Sequence, residues 1–242
     1  MIVNADDLGY SSDINTAVIE SLIRGYCTHA TIMANMPGFE EACELVRENE
    51  LVNRVGIHWV LTEGQPLTDD LKRCRRFCDA DGRFCLTRSV RVLHLDGRER
   101  DAIRAELAAQ LDRCRAQGLD PQHADSHRHA HEEWAIASVA IEACRSGGIR
   151  WLRLARNMGR STGLGRAAYR RLLNWRIRRA GLARTRYFGS WEDYEFAARH
   201  GLMGENNIEL MVHPRYGDTG VLIDATCGRS LGRIKTGSSK SA

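Results

Sequence analysis

The sequence lacks any apolar stretch that approaches the roughly 18 residues of a membrane-spanning helix, and its mean hydropathy is −0.39. It also lacks a basic and apolar leader, because Met1-Ile2-Val3 already belongs to the first predicted strand. These absences argue against a membrane span and a secretory signal in this sequence. We therefore expect a cytoplasmic protein.

No CxxC pair occurs, although the chain has eight cysteines among its 242 residues. A disulfide framework is typical of small secreted chains, and several of these cysteines fall at apolar helical positions. We therefore interpret them as reduced and mostly structural. Cys74, Cys78 and Cys85 are spaced loosely like metal ligands, but without a fourth ligand they form a weak zinc candidate.

Glycine-rich phosphate-binding patterns are absent as well, since neither GxGxxG nor a P-loop follows a predicted strand. This weakens a nucleotide-binding interpretation. Hydrophobic residues make up 43% and charged residues 27% of the chain, which is an ordinary globular balance. The length suits a single α/β domain with a well-buried core.

Strand and helix signals alternate along most of the chain, which predicts a parallel sheet, either closed into a barrel or doubly wound. The predicted strands cover residues 1–5, 30–34, 55–59, 122–125, 149–154 and 208–212. The predicted helices begin near Ser11 or Ser12, after Pro37-Gly38, near residue 98 and near residue 133. In a barrel, the carboxyl ends of the strands carry the chemistry.

Polar side chains follow four of these strands. They are Asp6 and Asp7, His58, the cluster from Asp125 through His127 and His129 to His131, and His213. Carboxylates and imidazoles without thiolate are ligands for a hard-to-borderline divalent metal. Taken singly, each residue has a simpler interpretation. Asp6 and Asp7 could brace a turn, His58 could be a hydrogen-bonded core histidine, and His213 could lie at an ordinary strand-to-loop exit. Their shared position at strand ends favours a metal site, in which Asp125, His129 and His131 orient ligands or contact substrate.

Four short motifs resemble the YdjC-like carbohydrate deacetylases, which include chitooligosaccharide deacetylases and hopanoid-biosynthesis-associated members. In order, they are Ile2-Val3-Asn4-Ala5-Asp6-Asp7-Leu8-Gly9, Gly56-Ile57-His58 with Leu61-Thr62-Glu63-Gly64-Gln65-Pro66-Leu67, Asp125-Ser126-His127-Arg128-His129-Ala130-His131, and Glu209-Leu210-Met211-Val212-His213-Pro214. The resemblance implies a deformed TIM-like (β/α) barrel with bound Mg²⁺ or Zn²⁺. It also implies hydrolysis of the acetamido group of an N-acetylated amino sugar, oligosaccharide or glycolipid.

The resemblance also implies roles for individual residues. Asp7, His58 and His127 match the metal ligands. Asp6 matches the general base, and His213 is the expected general acid. Arg153 matches more loosely an arginine that orients the site, and Thr62 lies in the second motif as a candidate substrate contact.

The end of the chain departs from the family pattern. We expect a catalytic domain at residues 1–216 and a divergent, partly disordered segment at 217–242. Residues 218–242 are rich in glycine, serine and threonine, and the stretch from Gly237 to Ala242 is expected to be disordered. The last barrel element is therefore expected to be missing, altered or supplied by a partner subunit in a homodimer.

A second departure is the basic segment between Arg160 and Arg186, which contains no acidic residue. The simpler interpretation is a solvated barrel helix, or a helix lining a groove for an anionic or lipid-linked sugar. One alternative is a non-catalytic protein whose basic helix docks on a membrane surface or on nucleic acid, of which nucleic acid is the less expected. A further alternative is a barrel-type metal-dependent phosphoesterase or nuclease.

Overall fold

A curled sheet of seven parallel strands forms the centre of the protein. The computed structural model describes residues 1–86, 92–159, 163–201 and 207–233. The strands of this sheet are β1 (Ile2–Leu8), β2 (His29–Ile32), β3 (Val55–Trp59), β4 (His123–Ser126), β5 (Trp151–Leu152), β6 (Tyr187–Gly189) and β7 (Ile208–Val212). Their order across the sheet is β5-β4-β3-β2-β1-β7-β6, so strands that follow one another in sequence are mostly neighbours in space.

Helices cover the outside of the sheet, as in a (β/α) barrel. They are α1 (Ser12–Ile23), α2 (Phe39–Glu48), α3 (Asp69–Lys72), α4 (Gly97–Ala116), α5 (Trp134–Ser146), α6 (Leu164–Arg179) and α7 (Trp191–Arg199). The inner face of α2 packs against the sheet, and its residues Phe39, Ala42, Cys43 and Val46 are all fully buried.

The sheet curls far enough for its two edges to approach each other. The backbone N–H groups of Asn157 and Met158, just after β5, both donate to the carbonyl of Phe188 in β6, at 3.0 and 3.2 Å. Within the curl, the Arg153 guanidinium contacts carboxylates from β1, β4 and β7. The predicted α/β class and incomplete TIM-like barrel are confirmed.

Two strands differ from the sequence expectation. Strand β5 has only two residues instead of the predicted six, because the chain after Leu152 turns inward to place Arg153 in the barrel. Strand β6 was not predicted, since three residues after a basic segment give too little alternation to recognise. Close packing also fixes Gly56 in β3, where a Cβ atom would lie 2.5 Å from the His123 ring.

The segment after residue 213 adds a small antiparallel sheet beside α1. It consists of β8 (Pro214–Tyr216), β9 (Leu222–Asp224) and β10 (Arg229–Ser230). Asp224 is buried, and the Tyr216 hydroxyl bonds to Glu20 of α1. The predicted domain boundary between residues 216 and 217 stays a prediction, and so does the predicted homodimer. The segment 237–242, for which we expect disorder, lies outside the described residues.

The basic helix α6 packs against the barrel through Leu173, Asn174 and Ile177. Arg176 donates to the Trp134 carbonyl and the Ser138 hydroxyl of α5, so part of its charge holds the two helices together. Docking of this helix on a membrane or nucleic acid stays a prediction. Among the described residues, no helix combines the length and apolarity needed to cross a membrane.

All eight cysteines are free thiols. In the described part of the chain, two groups of side chains have the spacing to hold a metal ion, and neither contains a cysteine. Both groups lie instead at the carboxyl ends of β1, β3 and β4.

Candidate active site

The two aspartates of β1 point in different directions because the strand is irregular there. Its pairing register with β2 shifts between Ala5 and Leu8, and Asp7 has a φ of 68°, a left-handed conformation that aspartate tolerates better than most residues. As a result, the Asp6 side chain is buried inside the barrel, whereas the Asp7 side chain retains 15% exposure at its mouth.

Asp7, His58 and His127 converge on one point at the mouth of the barrel. Asp7 Oδ1 lies 3.3 Å from His58 Nε2 and 3.0 Å from His127 Nδ1. The three potential ligand atoms lie within 4.8 Å of one another. One carboxylate oxygen and two imidazole nitrogens form a suitable donor set for a divalent metal, so the predicted ligands fit the ion that the resemblance implies.

The inner nitrogen of His58 is held by a buried carboxylate. His58 Nδ1 lies 2.7 Å from Asp125 Oδ1, which fixes one proton on Nδ1 and directs Nε2 at Asp7. Burial opposes the charged imidazole, but Asp125 and Asp7 outweigh it and raise the pKa of His58 to about 10. A metal cation would take the place of that second proton, because ligands bind metals in their deprotonated form.

Glu63 performs the same task for His127. Its Oε2 lies 3.0 Å from His127 Nε2, which leaves Nδ1 free to face Asp7. Tyr10 and Arg128 hold Glu63 in turn, through hydrogen bonds of 2.6 and 3.1 Å. Burial alone would raise the pKa of Glu63, but the hydrogen bonds from Tyr10 and His127 lower it.

Arg153 organises the buried floor of the site. Its guanidinium donates to both oxygens of Asp6 at 2.6 and 2.7 Å, and it also contacts Asp125 at 2.6 Å and Glu209 at 2.5 Å. Although burial would raise the pKa of Asp6, Arg153 holds that pKa well below its usual range. The Asn4 amide adds a third hydrogen bond to Asp6, at 2.8 Å.

His213 approaches the triad from the end of β7. Its Nε2 lies 4.0 Å from Asp7 Oδ2, and its Nδ1 lies 2.9 Å from the Thr226 hydroxyl. The backbone N–H of His213 donates to Asp224 Oδ1 at 3.1 Å. The C-terminal segment therefore orients this histidine, with its other nitrogen facing the mouth of the barrel.

The family model described as YdjC-like protein matches residues 1–236. The chain belongs to the YdjC-like family. A chitooligosaccharide deacetylase of Klebsiella pneumoniae subsp. pneumoniae is 32% identical over 94% of this chain and 86% of its own length. The carbohydrate deacetylase of Brevibacillus brevis is 41% identical over 59% of this chain.

The share of each relative's length that this chain spans differs between relatives. The chain spans about half the length of the carbohydrate deacetylases from Brevibacillus brevis and Geobacillus stearothermophilus, at 54% and 50%. A crystal structure of a proposed cellobiose-phosphate cleavage protein from Enterococcus faecalis V583 matches with a TM-score of 0.66 and 24% identity. That match covers 90% of this chain and 82% of the other, and it supports the fold alone.

In this YdjC-like chain the histidine cluster does not continue as an extended strand. After Ser126 the backbone forms a tight 3₁₀ turn in which Arg128 and His129 have φ values of 52° and 56°. The turn separates the histidines, so that among His127, His129 and His131 only His127 belongs to a metal-ligand group in the described part of the chain. Burial, together with the nearby charge of Arg153, lowers the pKa of His131 to about 3, so His131 is a neutral core residue.

The remaining candidates lie around the triad. His129 packs its ring edge against Phe188, with centroids 5.8 Å apart. The Thr62 hydroxyl is buried and has no hydrogen-bond partner among the described residues. Motif reasoning assigned no role to Glu63, Glu209 or Thr226, although the first two stand inside the quoted motifs and could have been singled out there.

Replacing Glu63 with alanine is expected to weaken metal binding by about 10–100-fold, because the ring of His127 loses the partner that fixes its tautomer. Calorimetric titration of the metal-free protein with Zn²⁺ would measure this. Tyr10→Phe is the matched control, since it removes one bond to Glu63 but keeps the carboxylate, and its effect should be smaller. Equal zinc affinities for Glu63→Ala and the parent would contradict this role.

Proposed function

We propose that this YdjC-like protein is a metal-dependent hydrolase that removes the acetyl group from an N-acetylated sugar. The observation that carries the proposal is the convergence of Asp7, His58 and His127, with His213 4.0 Å from Asp7. Relatives named carbohydrate deacetylase and chitooligosaccharide deacetylase support the same chemistry. The substrate is an amino sugar, an oligosaccharide or a glycolipid.

The metal would be held by Asp7, His58 Nε2 and His127 Nδ1. When bound, a divalent ion supplies polarisation of the acetyl carbonyl and a water of lowered pKa. Two imidazoles and one carboxylate suit zinc, whereas magnesium prefers oxygen ligands. We therefore expect zinc to bind more tightly than magnesium.

Asp6 is the proposed general base. Arg153 keeps it ionised throughout the neutral pH range, as a base must be. The same contacts make it a weak proton acceptor, so the proton taken from water would stay on Asp6 only until it is passed on. Arg153 thus orients Asp6 and limits how long it can remain neutral.

His213 is the proposed general acid. When the C–N bond of the acetamide breaks, the departing amine needs a proton, and His213 Nε2 faces the mouth of the barrel beside Asp7. The Thr226 hydroxyl on Nδ1 holds the ring in that orientation. In the whole reaction water adds to the acetyl carbon first, the C–N bond then breaks as the nitrogen gains its proton, and the products are acetate and the free amino sugar.

The remaining residues support this arrangement. Asp125 orients His58 through its Nδ1 proton, and Thr62 and His129 are proposed substrate contacts at the barrel mouth. His131 is proposed to support the turn that places His127, because its Nδ1 bonds to the Ser126 hydroxyl at 2.6 Å.

A product assay tests the proposal against the phosphoesterase alternative. The zinc-loaded protein is incubated with N-acetylglucosamine oligomers and, separately, with phosphate mono- and diesters. We expect acetate and a free amine from the oligomers and no hydrolysis of the esters. Phosphate release without acetate release would instead assign the triad to a phosphoesterase.

A further inference from the structure

The outer side of α6 carries a row of apolar residues, here called the outer stripe. Its four members recur three or four residues apart and are all exposed: Leu164, Ala168, Leu172 and Trp175. At this spacing they share one side of the helix, and they span about 16 Å along its axis. The opposite side packs against the barrel through Leu173, Asn174 and Ile177, so the outer stripe points away from the protein.

The exposure of this stripe is unusual for a surface helix, which normally turns its apolar side toward the core. The exposed fractions are 91% for Leu164, 49% for Leu172 and 54% for Trp175. Among the described residues, seven large hydrophobic side chains are exposed, and three of them lie in this stripe. A concentration of this kind marks an interaction surface.

Positive charge borders the outer stripe. Arg171, Arg178 and Arg179 are exposed, and α6 contains no acidic residue. None of the ion pairs among the described residues includes any of these three arginines. The Arg179 guanidinium lies 5.5 Å from the centroid of the Trp175 ring. The helix therefore presents apolar surface and unneutralised charge to the same partner.

A groove of about 530 Å³ beside the outer stripe adds to this charge. It lies on the outer wall of the barrel, and four guanidinium groups and one carboxylate line it: Arg100, Arg145, Arg176, Arg179 and Glu142. Glu142 already pairs with Arg100, so the lining keeps an excess of positive charge. Guanidinium groups next to an exposed Trp175 suit a phosphate group that is attached to an apolar chain.

An anionic lipid surface matches both features of α6. Tryptophan is enriched at the headgroup level of membranes, and arginines near an anionic leaflet are attracted to it. Duplex nucleic acid would neutralise the arginines but would place Leu172 and Trp175 against charged phosphates. A second copy of this chain, paired through the same stripe, would bring the arginines of both copies together without a carboxylate in α6 to separate them.

We propose that the outer stripe of α6 docks the protein on a membrane surface that is rich in anionic phospholipid. The helix would lie in the plane of that surface, because among the described residues no helix is long and apolar enough to cross a membrane. Amphipathic helices of this kind bury their apolar side about 5–10 Å deep. The inference goes beyond deacetylation and does not depend on it.

Vesicle flotation measures docking without any substrate. The 242-residue protein is mixed with vesicles of phosphatidylcholine alone and with vesicles of equal parts phosphatidylcholine and phosphatidylglycerol. We expect a partition coefficient about tenfold or more higher for the anionic vesicles. The difference should shrink in about 1 M salt, where the Debye length falls to about 3 Å.

Two double variants separate the apolar and the charged contributions. Leu172→Gln combined with Trp175→Gln should lower the partition coefficient about tenfold or more, because two apolar side chains stay in water. Arg171→Gln combined with Arg179→Gln should lower it by a similar factor. All four side chains are exposed, and thermal unfolding would confirm that both variants fold.

Matched controls make the same changes elsewhere on the surface. Ile23→Gln combined with Val221→Gln replaces two apolar side chains that are 58% and 47% exposed. Arg24→Gln combined with Arg73→Gln removes two positive charges from exposed ion pairs. Both controls should stay within about twofold of the parental partition coefficient, because exposed charges beyond a Debye length are largely screened.

Equal partition of the parent onto anionic and neutral vesicles would overturn the proposal, and so would equal losses in the outer-stripe variants and their controls. Sedimentation velocity and titration with duplex DNA identify the other partners. If the parent ignores vesicles but forms a dimer that Leu172→Gln with Trp175→Gln dissociates, the stripe binds a second copy. If it ignores vesicles and binds DNA through Arg171 and Arg179 alone, the helix is a nucleic-acid surface.

Discussion

Replacing Arg153 with methionine is expected to lower the free energy of unfolding by about 3–5 kcal/mol, the range for breaking a buried charge network. Arg153 is 1% exposed and is the shared partner of Asp6, Asp125 and Glu209. Methionine fills much of the same volume but leaves three carboxylates buried without their cation. Urea unfolding at pH 7 would measure the loss.

Arg73→Met is the matched control. Its ion pair with Asp70 is exposed on both sides, at 72% and 75%, so its loss should cost less than about 1 kcal/mol. If Arg153→Met unfolded within about 1 kcal/mol of the parent, the buried network would not be the element that holds the barrel floor together.

The pH dependence of stability should change in the same variant. In the parent, the lowered pKa of Asp6 contributes stability above the unfolded pKa of Asp, and this is lost as the pH falls. Without Arg153, burial would raise the pKa values of Asp6 and Glu209 above their unfolded values. Stability in the variant should therefore be greatest at low pH and decline as the pH rises.

Variants of His127 and Asp6 are expected to separate the role of a metal ligand from that of the general base. His127→Ala is expected to lose both tight metal binding and acetate release, because it removes one of three ligand side chains. Asp6→Asn should retain the metal, since Asp6 lies outside that triad, while acetate release falls by about 10²–10⁴-fold. Metal content and acetate release would be measured on the same samples.

His200→Ala is the control for histidine loss, since His200 is exposed at the end of α7 and, among the described residues, its ring bonds to the Phe196 carbonyl one turn away. It should match the parent in both measurements. An Asp6→Asn protein that deacetylates at the parental rate would show that the base is a different group.

Sequence patterns could predict the parts of this site that depend on strand ends. Asp7 and His58 each end a recognisable strand, and parallel strands bring their carboxyl ends together. The pairing of His58 with Asp125 in adjacent strands follows from the same rule. Periodicity therefore predicted that Asp7, His58 and His127 would lie close together, as they do.

The contacts of Glu63 and Arg153 could not be predicted in this way, because both residues lie beyond the ends of their strands, where the chain has no regular period. Glu63 meets His127 across 64 positions, and Arg153 meets Asp6 across 147. Neither distance leaves a local pattern. The turn at Arg128 also escaped prediction, since nothing in an Arg-His dipeptide signals a left-handed backbone.

The C-terminal segment positions His213, although its sequence has weak periodicity. Its composition predicted a divergent tail, and its last nine residues, 234–242, lie outside the described residues. Yet Thr226 and Asp224 hold the ring and backbone of His213. A segment with weak periodicity can therefore complete a site that regular elements leave open.

The most direct test of a metal-dependent deacetylase is a zinc titration of the chelator-treated protein, with acetate release from N-acetylglucosamine oligomers as the readout. We expect no release without metal and a rate that rises to a plateau at one zinc ion per chain, because the two candidate ligand groups of the described residues share His58. Acetate release at the full rate from the metal-free protein would contradict the proposed function.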